Sequence, residues 1–564
     1  MAVPRRISRI VVLTGIAVFV FLLIHYGGFS NSSVALGFRS RLDWEPSRPF
    51  HPPGPIKAVP KSTGKPLRKV QASASSFKHT ADTERRRNEV RKAFKRSYDA
   101  YKKYAWLKDE VTPVTYSAKN TFGGWGATLV DSLDTLWIMG YHEEFREATA
   151  AVVKLDWSNT EETAINIFET TIRYLGGLLS AYDLSNDILL LRKAHELGDI
   201  LYHGFDTPNR LPPFWLNFEE VRTGQMVAGT NDASASPASL CIELTRLSQL
   251  TGDPKFYDAA DRVTRFLERA QNTTKLPGMW PKMLDFRNEA ATGSSFTLGA
   301  SADSLYEYLP KMYALLGGAD ASYEQMYRSA MDAVIEKLLF RPMTPDNQDI
   351  LFSGEYNSYR PTELDPESQH LTCFVGGMFG LGGRLFDIEK HVKIGEKLAR
   401  GCGWAYKSFE TGIMPEIFNM LACKNPDSCE WDEKAWETAA SSTSPKGFTN
   451  IRDARYLLRP EAIESIFILY RITGKSELRN VAWEMFESIT NATYTEIAYS
   501  AISDVGEQYG GRKLDSMESF WTAETLKYFY LIFSPPDVIS LDEYVFNTEA
   551  HPVRRPLAAT EKTD

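Results

Sequence analysis

The hydrophobic pattern along the chain repeats a helical hairpin. An apolar helix ends in a glycine-containing turn, and an amphipathic helix with a period near 3.6 residues begins soon afterwards. The clear copies are "TLWIMGYHEEFREATAAV", "LSQLTGDPKFYDAADRVTRFL", "YALLGGADASYEQMYRSAMDAVI" and "LYRITGKSELRNVAWEMFESI". "LLSAYDLSNDILLLRKAHELGDIL" and "GLGGRLFDIEKHVKIGEKLARG" are looser copies. The pattern predicts an all-α fold of six or seven hairpins, and a closed ring of hairpins would bury every apolar stripe around a central pocket.

One acidic residue, Glu169, lies on the apolar stripe of a predicted helix. The stripe consists of Ile165, Phe168, Ile172, Leu175 and Leu179. A carboxylate on a core-facing stripe is unfavourable unless it is paired or takes part in chemistry. Arg173 lies four residues after Glu169 and could pair with it. A structural ion pair and a catalytic acid both fit this stretch.

Further acids occupy similar positions. They are Asp303 before an aromatic run, Glu416 among apolar neighbours, Glu461 and Glu464 after Pro460, and Glu524 four residues after Phe520. Capping or the helix dipole explains each acid taken singly. Several such acids on one ring of helices are better explained by a site lined with carboxylates.

The chemistry that suits this site is glycoside hydrolysis, because the chain has paired carboxylates and no motif for a nucleophilic serine or cysteine. A metal site is the alternative acidic chemistry. The stretch "FNTEAHP" at 546–552 bears on it, since Thr548 offers both a hydroxyl and a carbonyl oxygen, which calcium prefers.

The N-terminal region predicts a membrane anchor with a cytoplasmic N-terminus. Arg5, Arg6 and Arg9 precede an uncharged apolar run. The predicted segments are a cytoplasmic tail at 1–9, a transmembrane signal anchor at 10–29 and a flexible stem at 30–85 rich in proline and serine. A cleaved signal peptide is the competing interpretation. Asparagines in N-glycosylation sequons, at Asn31, Asn272 and Asn491, agree with a lumenal location.

Charge and cysteine content narrow the classes of function. The net charge is −8, and no basic stripe follows the N-terminal region, which argues against nucleic-acid binding. Of the five cysteines, Cys241 in an apolar run is expected to be a buried thiol. Cys423 could pair with Cys429 in a small loop, and Cys373 with Cys402 in a larger one. No C-x-x-C or paired histidine spacing supports zinc.

Seven motifs together resemble the class I α-1,2-mannosidases, glycoside hydrolase family 47. They are "GGWGATLVDSLDTLWIMG", "FETTIRYLGGLLSAY", "SADSLYEYL", "HLTCFVGGM", "LRPEAIESIF", "MESFWTAETLKY" and "FNTEAHP", in the family's order. The resemblance implies an (α/α)7 barrel, plugged at one end by the C-terminal segment, with a catalytic domain at 86–552 and a tail at 553–564. It also implies a bound Ca²⁺.

The resemblance assigns roles by position. Glu169 matches the proton donor, which acts through a water, and Glu461 matches the general base candidate. Asp303 matches the other catalytic acid, whose role is either that of a base or that of a positioning residue. Glu416 matches a further pocket carboxylate, and Thr548 matches the calcium ligand. Residues that line the sugar and the water shell of the ion match Arg173, His370, Arg459, Glu464, Phe520, Glu524 and Glu549. The pair Cys373–Cys402 matches the family's disulfide, while Asp131 and Asp134 match acids interpreted as structural.

The implied function is a calcium-dependent, inverting α-1,2-mannosidase. It would trim high-mannose N-glycans and sit in the Golgi or ER membrane as a single-pass type II protein. Ser301 replaces the arginine of the branch that removes one mannose, which predicts trimming of several mannoses. The alternatives are a degradation-enhancing relative that recognises glycans in ER quality control, and a structural toroid whose acids are all paired.

Overall fold

The structure, a computed structural model, describes residues 48–61, 66–160, 162–425 and 428–556 and is rich in helices. The helices of its first half are α1 Ala81–Tyr104, α2 Ala127–Asp131, α3 Leu133–Ile138, α4 His142–Val152, α5 Ile167–Glu169, α6 Gly176–Ser185, α7 Ile188–Tyr202, α8 Phe218–Thr223, α9 Ala235–Ala238, α10 Cys241–Thr251 and α11 Lys255–Ala270. The helices of its second half are α12 Asp303–Leu315, α13 Ser322–Lys337, α14 Phe374–Leu385, α15 Glu389–Lys407, α16 Glu433–Ala439, α17 Glu461–Thr473, α18 Glu477–Thr493 and α19 Leu526–Phe533. Short π-helical turns, Thr170–Leu175 and Trp521–Thr525, immediately precede α6 and α19.

The predicted helix–glycine–helix units are present and pack as pairs. The pairs are α3 with α4, α6 with α7, α10 with α11, α12 with α13, α14 with α15, and α17 with α18. Gly252 and Gly474 end the first helix of their pairs with φ of 75° and 70°, a left-handed conformation that costs glycine little.

The first helices of successive pairs also contact one another. These contacts join α3 to α6, α6 to α10, α10 to α12, α12 to α14, α14 to α17, and α17 to α19. The π-helical turn before α19 contacts α3, and α19 packs against α1. The mainly apolar core lies between these helices.

Short strands connect the helices, so the prediction of an all-α fold is too simple. They are β1 Glu110–Thr112, β2 Ser117–Lys119, β3 Ala164–Asn166, β4 Trp215–Asn217, β5 Asp232–Ala233, β6 Met283–Leu284, β7 Ser295–Phe296, β8 Leu339–Phe340, β9 Phe352–Ser353, β10 Glu355–Asn357, β11 Leu364–Asp365, β12 Glu367–Gln369, β13 Ile417–Met420, β14 Phe448–Asp453, β15 Tyr544–Phe546 and β16 Pro552–Arg554. They form small antiparallel sheets of two or three strands, such as β12–β13–β14. Long loops that pass over a core need partners for their backbone groups, and these sheets supply them.

The C-terminal residues form an antiparallel hairpin of β15 and β16, which contact α12 and α6 respectively. Its tip is buried: Asn547 and His551 are both 0% exposed. The predicted C-terminal tail from 553 therefore begins too early, because Val553 pairs with Val545 inside the hairpin.

An N-terminal strap, residues 48–61 and 66–80, lies against the helices, so the predicted flexible stem at 30–85 extends too far. The backbone N–H of His51 donates to Asp206 at 2.7 Å, and Lys57 Nζ bonds Asp261 at 2.8 Å. Val70 is 0% exposed. Proline and serine content suggested a stem, but single apolar and charged side chains anchor the strap.

The predicted anchor at 10–29 and cytoplasmic tail at 1–9 lie outside the described residues. Within the described ranges, no helix combines the length and apolar character needed to cross a bilayer.

The cysteine predictions are confirmed. Cys373 and Cys402 form a disulfide with a Cα–Cα distance of 6.1 Å, which joins the turn before α14 to α15. Cys423 and Cys429 form a second disulfide, and Cys241 is a buried free thiol.

Candidate active site

Glu169 and Arg173 form the predicted i,i+4 pair at the start of the α5–α6 helical stretch. Arg173 Nε donates to Glu169 Oε2 at 2.8 Å. The side chain of Asn166 caps the helix by accepting from the Glu169 N–H at 3.0 Å. Ile165 lies in β3, so the predicted stripe begins before the helix does. Glu169 keeps 27% of its side chain exposed, which leaves it accessible to a ligand.

Arg173 links Glu169 to the C-terminal hairpin. Its Nη1 bonds Glu549, approaches Asp131 at 3.6 Å and donates to Ser519 Oγ at 3.0 Å. The guanidinium lies 5.7 Å from the ring centre of Phe520. A buried cation therefore gathers carboxylates from three separate parts of the chain.

A second group joins Glu416, Arg459 and Glu461. Arg459 Nε donates to Glu416 Oε2 at 2.5 Å, and its Nη1 lies 3.6 Å from Glu461 Oε1. Glu416 Oε1 is buried and has no hydrogen-bond partner among the described residues. A buried acceptor without a donor is costly, so this oxygen is available to a ligand or water.

His370 holds the other side of Glu461. His370 Nδ1 lies 2.9 Å from Glu461 Oε2, and His370 Nε2 lies 2.8 Å from the hydroxyl of Tyr406. Although burial opposes ionisation, His370 and Arg459 together hold the pKa of Glu461 below its ordinary value. Glu461 is therefore an ionised carboxylate at neutral pH.

Asp303 has the opposite electrostatics. It is the first residue of α12, and its Oδ1 accepts from the Ser304 N–H at 2.7 Å. Burial raises its pKa to about 7, and the charges of Glu307 and Glu461 act in the same direction. Two carboxyl groups close enough to interact thus have pKa values pushed apart, as in acid–base pairs of hydrolases.

Glu464 and Lys311 extend the site on α17 and α12. Lys311 bonds Glu307 and lies 3.7 Å from Glu464. Burial raises the pKa of Glu464 to about 8, and Lys311 only partly opposes this. One lysine is shared by two buried acids.

The charges of Glu524 and Glu549 interact with acids of the groups around Arg173, Arg459 and Lys311. Burial raises the pKa of both well above the ordinary range. Glu461 and Glu464 repel the charge of Glu524, and Glu169 repels that of Glu549. The predicted acids thus lie close enough for their charges to interact. The neighbouring cations do not fully balance the negative charge of these acids.

Thr548 is held at the tip of the C-terminal hairpin. Its backbone N–H donates to the Tyr308 hydroxyl at 3.1 Å, and that hydroxyl donates to Glu243 Oε1 at 2.9 Å. Asn547 donates to the same Glu243 oxygen at 2.7 Å. Since Glu243 is 0% exposed, the threonine rests on a fully buried support.

A buried cluster lies behind the tip and involves Asp131 and Asp134, the acids interpreted as structural. His551 bridges Asp131 at 3.0 Å and Asp134 at 2.8 Å, and Lys527 Nζ lies 2.9 Å from Asp134. Burial opposes ionisation of Asp134, but Lys527 and His551 lower its pKa to about 2. All four side chains are inaccessible to solvent.

No group of three or more histidine, cysteine, aspartate or glutamate side chains in the described ranges is arranged to hold a metal ion directly. Sequence reasoning missed four residues that shape the site, Glu243, Glu307, Tyr308 and Lys311. It gave no role to Asn547 and His551, although both lie in the stretch "FNTEAHP". Glu243 and Glu307 each interrupt an apolar run, which is the signal that singled out Glu169.

Comparison with known proteins gives the class. A Coccidioides posadasii protein named mannosyl-oligosaccharide alpha-1,2-mannosidase is 35% identical over 502 residues, covering 85% of this chain and 93% of its own. The human endoplasmic reticulum mannosyl-oligosaccharide 1,2-alpha-mannosidase is 36% identical over 468 residues, covering 82% and 62%. The solved structure of a Trichoderma reesei alpha-1,2-mannosidase matches with a TM-score of 0.76 and 34% identity, covering 84% of this chain and 99% of that one.

The helix-rich fold and these relatives define a glycoside hydrolase, in agreement with the two carboxyl groups of opposed pKa. The sequence model of glycosyl hydrolase family 47 matches residues 93–555 of the chain. The chain belongs to that family.

Proposed function

We propose that the protein is a calcium-dependent, inverting α-1,2-mannosidase that removes terminal α-1,2-linked mannoses from high-mannose N-glycans. The observation that carries this proposal is the pair of interacting carboxyl groups, Glu461 held ionised and Asp303 with a pKa of about 7. Such a pair supplies a base and an acid at the same pH. The names of the family 47 relatives support the bond and the sugar.

The arrangement of helices that we propose is the (α/α)7 barrel. Support comes from the chain of contacts between the first helices of the pairs, together with the contact of the turn Trp521–Thr525 with α3. The pairing of α19 with α1 would be the seventh hairpin, and the C-terminal hairpin would be the plug.

In the proposed mechanism, Glu461 acts as the general base that activates water. The contacts with His370 and Arg459 keep it ionised and oriented. The proton for the leaving oxygen comes from Asp303, whose raised pKa favours the acid form, or from Glu169 acting through water. Inversion requires about 6.5–9.5 Å between acid and base, which leaves room for the attacking water.

The remaining predicted residues would bind the terminal mannose. Arg173, His370, Arg459, Glu464, Phe520, Glu524 and Glu549 lie in or beside the three cation-bridged groups. Phe520 would supply an apolar surface, and the charged groups would bond hydroxyls. Glu416, with its unpartnered oxygen, would accept from a sugar hydroxyl or a bound water.

A calcium ion fits the chemistry of the residues around the hairpin tip. Burial and mutual repulsion raise the pKa values of Glu464, Glu524 and Glu549, and a divalent cation would offset this excess of negative charge. Thr548 would bind the ion through its hydroxyl and carbonyl oxygens, with the carboxylates acting through water. When bound, calcium would hold mannose hydroxyls and favour a distorted ring.

A place in the secretory pathway, as a type II membrane protein of the Golgi or ER, is supported by two disulfides. Asn272 and Asn491, the sequon asparagines within the described ranges, are both exposed. The name of the human relative also agrees with this location. The anchor would be residues 10–29.

The test is release of mannose from a Man9 N-glycan with calcium and after treatment with EDTA. We expect free mannose with inverted anomeric configuration in calcium, and loss of activity in EDTA that added calcium restores. Full turnover in the chelator would contradict the role of calcium. Absence of mannose release in both conditions would contradict the enzyme and favour the glycan-recognition alternative.

Ser301 leads to a separate prediction about the number of mannoses removed. It precedes α12 with a φ of +79°, and its carbonyl accepts from the Ala235 N–H at 2.9 Å. A small side chain here leaves room for differently linked branches, so we expect Man9 to be trimmed by several mannoses. HPLC of the digestion products over time checks this. Accumulation of a product that has lost only one mannose would contradict it, and Ser301→Arg should slow the later steps.

A further inference from the structure

Trp215 is the most exposed tryptophan among the described residues, with 51% of its surface accessible. Single exposed apolar residues are common and need no explanation by themselves. The position of Trp215 beside the proposed active site is what makes it informative.

The antiparallel strand pair β3–β4, whose strands come from separate parts of the chain, places Trp215 next to the helix that carries Glu169. Asn166, the last residue of β3, is paired with Trp215, the first residue of β4. Side chains of directly opposed residues lie on the same face of an antiparallel strand pair, about 4.5–5.5 Å apart at Cβ. The side chain of Asn166 reaches the Glu169 N–H at 3.0 Å, so Trp215 lies on the face of the strand pair turned to that helix start.

The opposite face of the same strand pair packs against the core. Ile165 and its partner Leu216 are 3% and 0% exposed. This alternation fixes the register, because a slip of one residue would expose both apolar side chains. Because Leu216 points into the core, the adjacent Trp215 side chain points to the opposite, solvent-exposed face.

Phe214, the residue before β4, also holds the strand pair and the Trp215 ring in place. Its carbonyl accepts from the Ile167 N–H at 3.3 Å, two residues before Glu169. Its ring meets the Trp215 ring edge-on at 5.4 Å with an interplanar angle of 67°. The indole is therefore presented on a supported element, which lowers the entropy lost when a ligand binds.

We propose that Trp215 is a stacking platform for a mannose ring on the leaving-group side of the cleaved bond, beyond the mannose that this bond joins to the terminal one. The inference rests on the proposed function. A flat, partly exposed aromatic face suits the apolar C–H face of a sugar, and the indole N–H at its edge can donate to a hydroxyl. Binding a remote part of the substrate strengthens binding of large glycans and leaves the chemical step on small ones unchanged.

The test compares Trp215→Ala with the wild-type chain on two substrates, Man9 and methyl α-1,2-mannobioside. We expect kcat/KM for Man9 to fall about 3- to 10-fold through a higher KM, with less than about a 2-fold change for the disaccharide. Trp215→Phe should recover part of the loss. Tyr509→Ala, at a side chain with 73% exposure, is the control and should leave both values unchanged.

Binding is measured separately, by calorimetry with Man9 and chains that also carry Glu461→Gln. A higher Kd in the Trp215→Ala background supports the platform. Equal losses on both substrates, or an unchanged Kd, would overturn it. Failure of the wild-type chain to release mannose from either substrate would overturn the proposed function instead, and the Kd comparison would still decide the role of Trp215.

Discussion

Replacing Glu461 with glutamine is expected to lower kcat on Man9 by about 10²–10⁴-fold, the usual contribution of a general base. Glutamine has nearly the same shape and can still contact His370, which lies 2.9 Å from the carboxylate. It cannot accept a proton from water. Circular dichroism and melting temperature should remain close to wild type, because two effects oppose each other. The variant loses charged contacts with His370 and Arg459. It also relieves the repulsion between Glu461 and the buried acids Asp303, Glu464 and Glu524.

The control for this variant is Glu484→Gln, which removes an exposed carboxylate of a surface pair with Lys407 and should retain full activity. The pH profile gives an independent check on the wild-type chain. Activity should fall below the pKa of Glu461, which lies under the ordinary 4.5, as the base is protonated. It should fall again as pH rises through about 7, where Asp303 loses its proton. Retention of wild-type kcat by Glu461→Gln would eliminate this residue as the base.

Replacing Lys527 with methionine is expected to destabilise the folded state by about 3–5 kcal/mol, because it leaves Asp134 in the core without its main cation. Lys527 and Asp134 are both 0% exposed and lie 2.9 Å apart. The substitution also removes the donor to the Ala550 carbonyl in the C-terminal hairpin. Urea unfolding followed by circular dichroism measures the change in the free energy of unfolding.

Lys92→Met is the matched control. Lys92 pairs with Glu89 on the surface of α1, where 73% of its side chain is exposed, so stability should be unchanged within error. Equal stability of the Lys527 and Lys92 variants would mean that the buried cluster does not hold the hairpin. A further variant, Asp134→Asn together with Lys527→Met, should recover part of the loss by removing the unpaired charge.

Local sequence signals were sufficient for much of the fold and part of the site. Glycine after an apolar helix predicted six or seven helical hairpins, and the i,i+4 spacing of Glu169 and Arg173 predicted their contact. Both signals involve residues that are only a few positions apart in the sequence. The assignment of roles to Asp303 and Glu461 depended on resemblance, since helix capping explains acids at helix starts equally well.

Features that depend on distant contacts could not be predicted in this way. Tyr308 supports Thr548 across 240 positions of the chain, and no local pattern encodes that contact. The strap was misjudged for a similar reason, because its proline-rich composition gives no hint of the aspartates that bind its backbone. The short strands also escaped notice, since two or three residues are too few for a period to be read.

The strap has a practical consequence for recombinant work. Gln71 accepts from Arg471 Nη1 at 3.0 Å, and Arg471 is 0% exposed although it carries a charge. A truncation at residue 93, where the family match begins, would strip an acceptor from that guanidinium and uncover the apolar site of Val70. Expression plasmids for secreted enzyme should therefore encode the chain from Arg48 or earlier.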